Sequence, residues 1–272
     1  MDELSLVSVY IEIYFDDTLL SNATGFIIKV NNCEFLTTTH DAVREYVVTN
    51  GHVVTGRHAE TGKLLHSKLA IPNKLKIFFH KKTSSEKIER ICIDYLLDDG
   101  AGISWLGHPI GNTIDVVLIP LKKDNSIVSY EIDLRLASTD MIVEPAMPIS
   151  IIGFPDGKDA GELPIWVSGF VASEPEININ GLPCFFVNAS GYEGLSGSPV
   201  ICKLLGGSYR TANNNVILNN QYNKKFMGIY SGRLEYSKEK GKGLMIGRVW
   251  KPVVIEEIIL HYASLFASKS NI

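Results

Sequence analysis

The sequence predicts an all-β protein, either a sandwich or a pair of barrels. Three observations lead there. Short runs rich in β-branched and aromatic residues recur along nearly the whole chain, each bounded by Gly, Pro, Asn or Asp. Strand-length runs at this spacing mark an all-β fold rather than alternating βαβ units. Hydrophobic residues make up 45% and charged residues 21% of the 272, a balance that supplies a packed interior and excludes disorder. That length suits one or two domains, and two small barrels sharing one site would fill it.

The first run, 6–15 (LVSVYIEIYF), partly alternates and is rich in strand formers. Further strands are predicted over 25–30, 45–49, 76–80, 90–97 and 115–120. The polar stretch 122–126 (KKDNS) reads as the start of a connection, giving one unit over 1–125 and a second over 126–250. The second unit carries predicted strands over 148–154, 165–172, 184–188, 198–202, 226–230 and 244–249. Within it, 206–225 is rich in Asn and Gly and reads as a projecting surface loop. The pattern then changes. From Pro252 to about Phe266, Val253, Ile255, Ile258, Ile259 and Tyr262 recur near helical spacing, with proline suited to a first turn. A helix and tail over 251–272 are predicted.

Charge and cysteine usage exclude several classes. A net charge of −4 requires no broad basic face, so nucleic acid is not an expected partner. Cys33, Cys92, Cys184 and Cys202 form no CxxC pair and have no His at ligand spacing, which argues against zinc. The start, Met1-Asp2-Glu3-Leu4-Ser5, lacks the basic region and apolar core of a signal peptide. No stretch reaches the roughly 18–20 apolar residues that span a bilayer. A cytoplasmic, membrane-free protein with reduced cysteines is expected, and the sequons at Asn22 and Asn188 are then chance matches.

The segment richest in chemistry is Gly191-Tyr-Glu-Gly-Leu-Ser-Gly-Ser-Pro-Val200. Acyl transfer by a serine needs an exposed hydroxyl and backbone N–H groups aimed at the developing oxyanion, and glycines let the chain turn to converge them. Ser196 is the candidate nucleophile, and the N–H groups of Gly194 and Ser196 are the candidate hole. The α/β-hydrolase elbow does not fit, because it needs glycine where Ser198 stands.

A serine nucleophile needs a base and a carboxylate to orient that base. Tyr46-Val-Val-Thr-Asn-Gly-His52 reads as a strand ending in a polar turn that presents a histidine. Asp115 opens Asp-Val-Val-Leu-Ile-Pro-Leu, an acid at the mouth of an apolar strand, where it is shielded yet can reach an imidazole Nδ1–H. His40, in Phe35-Leu-Thr-Thr-Thr-His, is an alternative base on local sequence.

With these residues in place, the sequence resembles the bacterial trypsin-like serine peptidases of the chymotrypsin clan. The resemblance runs through Ala23-Thr-Gly-Phe, Thr49-Asn-Gly-His-Val-Val-Thr-Gly-Arg57, Asp115-Val-Val-Leu-Ile-Pro-Leu, Gly153-Phe-Pro, Gly194-Leu-Ser-Gly-Ser-Pro-Val200 and Gly228-Ile-Tyr-Ser-Gly232. It implies two six-stranded β-barrels with the site between them and a C-terminal helix. It implies His52 as general base, favoured over His40 by its closer match, with 31–44 then an inserted loop or hairpin. Asp115 becomes the orienting acid and Ser196 the nucleophile, in a chain order that matches chymotrypsin. Ser190 would sit at the base of the specificity pocket, and Tyr230, Ser231 and Gly232 would pair with the substrate backbone.

Departures from the family shape the rest. Leu195 stands where zymogen-activated relatives carry an aspartate, so activation by trimming the terminus is not expected. No acid at Ser190 means no basis for trypsin-like Arg or Lys preference. Arg233 follows Gly232 where relatives often have glycine; it either narrows the pocket, favours an acidic side chain, or faces solvent. The expected activity is peptide-bond hydrolysis of a protein or peptide substrate without metal or organic cofactor, with an activating protein partner as one route of control. The competing account is a protease-like binding module without turnover.

Overall fold

The structure is a computed structural model that describes residues 1–31, 43–83, 88–98, 100, 102–121, 124–234 and 245–269. Cys33 and the expected insertion over 31–44 lie largely outside these residues, as does the start of the connection at 122–123. The first unit contains β1 (Ser8–Phe15), β2 (Thr18–Asn31), β3 (Val43–Thr49), β4 (Lys74–Lys81), β5 (Arg90–Leu96), β6 (Leu106–Gly107) and β7 (Val117–Pro120). Two short strands after the connection, β8 (Ile127–Val128) and β9 (Glu131–Ile132), pair back onto β4 and β2. The second unit is a closed antiparallel barrel of β10 (Pro148–Gly153), β11 (Ile165–Val171), β12 (Cys184–Ala189), β13 (Pro199–Arg210), β14 (Val216–Arg233) and β15 (Ile246–Trp250).

The two units repeat one pairing plan. The closed barrel runs β10-β11-β12-β15-β14-β13. In the first unit β1, β2, β3 and β7 pair in the same succession, while β4 adds to β1 and β5 to β4, as β13 adds to β10 and β14 to β13. Among the described residues, the pair that would close the first unit, β5 with β7, is replaced by β6 at the edge of β7. The expected all-β architecture is therefore present as two units on one plan: the second is the expected six-stranded barrel, the first is a nine-stranded sheet that β5 and β7 do not close among the described residues, and a helix ends the chain.

Period-2 burial builds each sheet. On β1, Val9, Ile11 and Ile13 are buried while Tyr10, Glu12 and Tyr14 alternate toward the other face. Each unit has its own core, one around Ile11, Val47, Leu75 and Phe79, the other around Ile151, Phe185, Val187 and Val249. A third cluster joins them: Phe26, Val48, Val116 and Leu118 from the first unit meet Phe226, Ile229 and Trp250 from the second. Phe26 and Phe226 meet edge-on with ring centroids 5.6 Å apart, an arrangement aromatic pairs favour. The seam is a true core, which fixes the two halves of any site lying across it.

The short helix α1 (Gly51–Thr55) follows β3 and ends at Gly56, whose φ of 63° lies in the left-handed region. The long helix α2 (Val253–Lys269) buries Val254, Ile255 and Ile258 in the seam cluster and exposes Leu260 and Leu265. His108 Nε2 and Glu257 Oε2, 2.7 Å apart, tie it to the first unit.

One expectation is corrected. Residues 206–225 are not a loop: β13 and β14 continue through them as a long hairpin, paired from Pro199↔Ile229 out to Arg210↔Val216. Leu205, Val216, Leu218 and Tyr222 are all exposed on it. Its inward contacts are few, chiefly Tyr209 against the second core and the buried Thr211, so the hairpin carries no alternating apolar signal and its composition resembles that of a loop. Among the described residues Cys92, Cys184 and Cys202 are unpaired, and no helix is long and apolar enough to cross a membrane.

Candidate active site

The site is assembled from the ends of β3, β7 and β14 and the turn between β12 and β13. His52 is the second residue of α1, directly after β3. The chain leaves β3 through Thr49 and Asn50, both fully buried. Asn50 Nδ2 donates to the carbonyl of Asp115 at 2.7 Å, so the segment that carries the histidine is stitched to the one that carries the acid. Gly51 sits close against this junction: a Cβ there would lie 3.2 Å from Asp115 Oδ1.

Asp115 is 3% exposed and receives three hydrogen bonds. The His52 backbone N–H donates to Oδ1 at 2.8 Å, and His52 Nδ1 lies 2.7 Å from Oδ2. Ser231 Oγ donates to Oδ2 at 2.6 Å. A buried carboxylate needs such compensation, because an unpaired charge removed from water is costly. The contact also fixes the tautomer: with Nδ1–H given to Asp115, Nε2 is left as the basic nitrogen. Burial pushes the His52 pKa down, but the charge of Asp115 and its hydrogen bond together outweigh this and hold the pKa above its ordinary 6.5.

Ser196 lies in a turn held from three sides. Its carbonyl accepts the Thr24 N–H at 2.9 Å, Gly197 N–H donates to the Tyr230 carbonyl at 2.9 Å, and Ser198 N–H donates to the Leu195 carbonyl at 3.0 Å. Leu195 is fully buried in the core of the second barrel and anchors the turn by its side chain. Gly194 and Gly197 have φ of 87° and 86°, which L side chains rarely adopt. Both are also sterically required, since a Cβ on Gly194 would sit 2.4 Å from the Phe154 carbonyl oxygen and one on Gly197 2.1 Å from that of Thr24.

Among the described residues, the N–H groups of Gly194 and Ser196 donate to no protein acceptor, while those of Leu195, Gly197 and Ser198 all do. Ser196 Oγ likewise forms no hydrogen bond with His52 or with any other described residue. A Cβ on Gly232 would lie 3.8 Å from Ser196 Oγ. The strand end Ser231–Gly232 thus touches both the carboxylate and the candidate nucleophile.

Two contributors were not legible in the sequence as such. Ser231, read only as a backbone partner, places its hydroxyl on Asp115. Thr24, part of Ala23-Thr-Gly-Phe, is fully buried and links both halves: its Oγ1 donates to the Gly194 carbonyl at 2.7 Å and accepts the Phe154 N–H at 3.0 Å. Its carbonyl accepts from Thr49 Oγ1 at 2.9 Å. Ser190 is partly buried at the end of β12. Beside it, the stem of Arg233 and the hydroxyl of Tyr230 meet at Gly191, where a Cβ would lie 2.5 Å from Arg233 Cγ and 2.7 Å from Tyr230 OH. His40 lies outside the described residues. Among the described residues no cluster of His, Cys, Asp and Glu has the makings of a metal site.

Two β units on one strand plan, with a histidine–carboxylate pair beside their seam, define the trypsin-like serine protease fold. No protein-family model and no curated protein matches the chain. Solved structures similar to it include Rv3671c from M. tuberculosis H37Rv, a serine-to-alanine mutant in an inactive form. That structure is 13% identical, with 95% of this chain and 86% of that one covered, at a TM-score of 0.44. The Rv3671c protease in an inactive form is 14% identical, covering 95% and 89%, at 0.43. A serine endoprotease from Yersinia pestis is 12% identical at 0.46, covering 96% of this chain and 64% of that one.

Proposed function

We propose that this chain is a serine endopeptidase that hydrolyses peptide bonds through an acyl-enzyme. Ser196 Oγ attacks the scissile carbonyl carbon while His52 Nε2 takes its proton. The tetrahedral oxyanion is held by the N–H groups of Gly194 and Ser196. His52 then gives the proton to the leaving amine as the C–N bond breaks, and water, activated by the same imidazole, releases the acyl group and regenerates Ser196. Asp115 orients the ring and steadies the imidazolium.

The observation that carries this reading is the grip on Asp115. Three hydrogen bonds at 2.6–2.8 Å converge on one buried carboxylate, two of them from His52. The cost of burying that charge is offset by these bonds, and their effect is to fix the imidazole with Nδ1 on the acid and Nε2 free to act as base. The two N–H groups without acceptors in that turn supply the oxyanion donors, each typically worth about 10²–10³ in turnover.

A fluorophosphonate probe tests the proposal directly. The wild-type protein should be labelled at Ser196, and the Ser196→Ala variant should fold and remain unlabelled. Absence of labelling in folded wild-type protein would favour the non-catalytic binding module instead.

A further inference from the structure

We infer that the substrate residue preceding the scissile bond is acidic, aspartate or glutamate, and that Arg233 and the Tyr230 hydroxyl, which meet at Gly191, are the groups that bind its side chain. This rests on the peptidase reading and names its substrate class.

The argument begins with where these groups lie. Gly232 is next to the candidate nucleophile, and Arg233 follows it directly. Across from that strand end, Ser190 and Gly191 lead from β12 into the nucleophile turn. Arg233 Cγ and Nε would lie 2.5 and 2.9 Å from a Cβ on Gly191, and Tyr230 OH 2.7 Å from it. One spot, at the glycine five residues before Ser196, therefore gathers a guanidinium and a phenol, with Ser190 next to it in the chain. Only glycine at 191 leaves room for them.

Both principal donors lack acceptors. The Tyr230 side chain is fully buried, yet its hydroxyl has no hydrogen-bond partner. Burial pushes its pKa to about 12 even though the charge of Arg233 pulls the other way, so at neutral pH it is a protonated donor. Arg233 is exposed and forms no ion pair among the described residues. A buried donor without a partner is unfavourable, and the ligand that satisfies a phenol and a guanidinium together is a carboxylate. Arg233 also acts against competitors. Its stem lies over Gly191, so a neutral or basic side chain placed there must displace a cation and receive nothing in return.

The test compares peptides identical except for Glu, Gln, Leu or Lys before the scissile bond, cleaved by wild type, Arg233→Ala and Arg233→Glu. Wild type should favour Glu over Gln by about 10- to 100-fold in kcat/KM, the range of hydrogen bonds to a charged group. Arg233→Ala should collapse that ratio, and Arg233→Glu should invert it so that Lys exceeds Glu. A wild-type preference for Leu or Lys, or a Glu:Gln ratio that survives Arg233→Ala, overturns the inference. If Ser196 is still labelled by a fluorophosphonate in that case, the peptidase reading stands alone; no labelling and no cleavage of any peptide removes both.

Discussion

The hydroxyl of Thr24, on β2 of the first unit, donates to the carbonyl of Gly194 at 2.7 Å across 170 positions of sequence. A peptide group has only one orientation: fixing the carbonyl on the Glu193 side or the Gly194 side constrains the adjoining N–H groups. Here the Gly194 carbonyl is fixed by Thr24, and the Glu193 carbonyl accepts the Asp156 N–H at 2.7 Å. The second of these sets the direction of the Gly194 N–H, and the first sets the geometry of the peptide that follows. Thr24→Val keeps the shape and removes both side-chain bonds. It should lower kcat about 10-fold or more, below the 10²–10³ of losing an oxyanion donor outright, with KM little changed. Thr24→Ser should restore most of the rate. Single-turnover acylation kinetics on the three proteins check this.

The His52–Asp115 pair predicts a pH signature. Acylation needs neutral His52, whose pKa is raised above 6.5, so the rate should fall as pH falls through a midpoint above 6.5. Asp115→Asn removes the charge that raises the pKa and leaves the burial that lowers it. The acid limb should move below 6.5, and the limiting rate should drop by about 10⁴ from loss of the correct tautomer. Probe acylation measured across pH 5–9 in both proteins reads the two effects separately. An acid limb that stays in place in Asp115→Asn would contradict the assignment.

The glycines of the nucleophile turn are sensitive to a single methyl. Gly197→Ala places a Cβ 2.1 Å from the Thr24 carbonyl oxygen and 2.4 Å from Thr49 Oγ1, at a φ of 86°. The backbone cost alone is about 1–2 kcal/mol, and the clash adds to it. At a total of at least about 2 kcal/mol the midpoint of thermal unfolding should fall by roughly 4–8 °C. Acylation should be lost even where the protein is fully folded, because the clash pushes Ser196 away from β2. Calorimetry and probe labelling at 20 °C make the comparison.

Much of this site is written locally and was legible for that reason. The glycines at 194 and 197 and the apolar run after Asp115 each act on their own neighbours, so the turn and the strand mouth could be read without the fold. The Thr24 hub could not, because every bond it makes reaches a residue distant in sequence, and a threonine on an apolar strand has no local signature. Ser231 was half legible: its place on the substrate-facing strand followed from motif, but the bond to Asp115 exists only once β14 and β7 meet. The hairpin over 206–225 was hidden because most of its apolar side chains, Val216, Leu218 and Tyr222 among them, face solvent. The C-terminal helix, predicted to about Phe266, extends to Lys269, a difference of the size by which helix ends are ordinarily misplaced.

That helix supports the acid from behind. Ile258 is fully buried in the seam cluster with Val116, which follows Asp115, and Leu118 on β7. Ile258→Ala should cost about 2–5 kcal/mol, a cavity in the layer behind the Asp115 segment. Leu260, on the same helix but 55% exposed, should tolerate alanine within about 0.5 kcal/mol. Urea unfolding of the two variants should therefore separate them by several-fold in free energy while leaving the m-value of each near that of wild type. Equal destabilisation would mean that α2 does not pack through this face, and the seam would lose its third layer. In the folded fraction Ile258→Ala should still acylate, because the contacts of Asp115 with His52 and Ser231 do not pass through the helix.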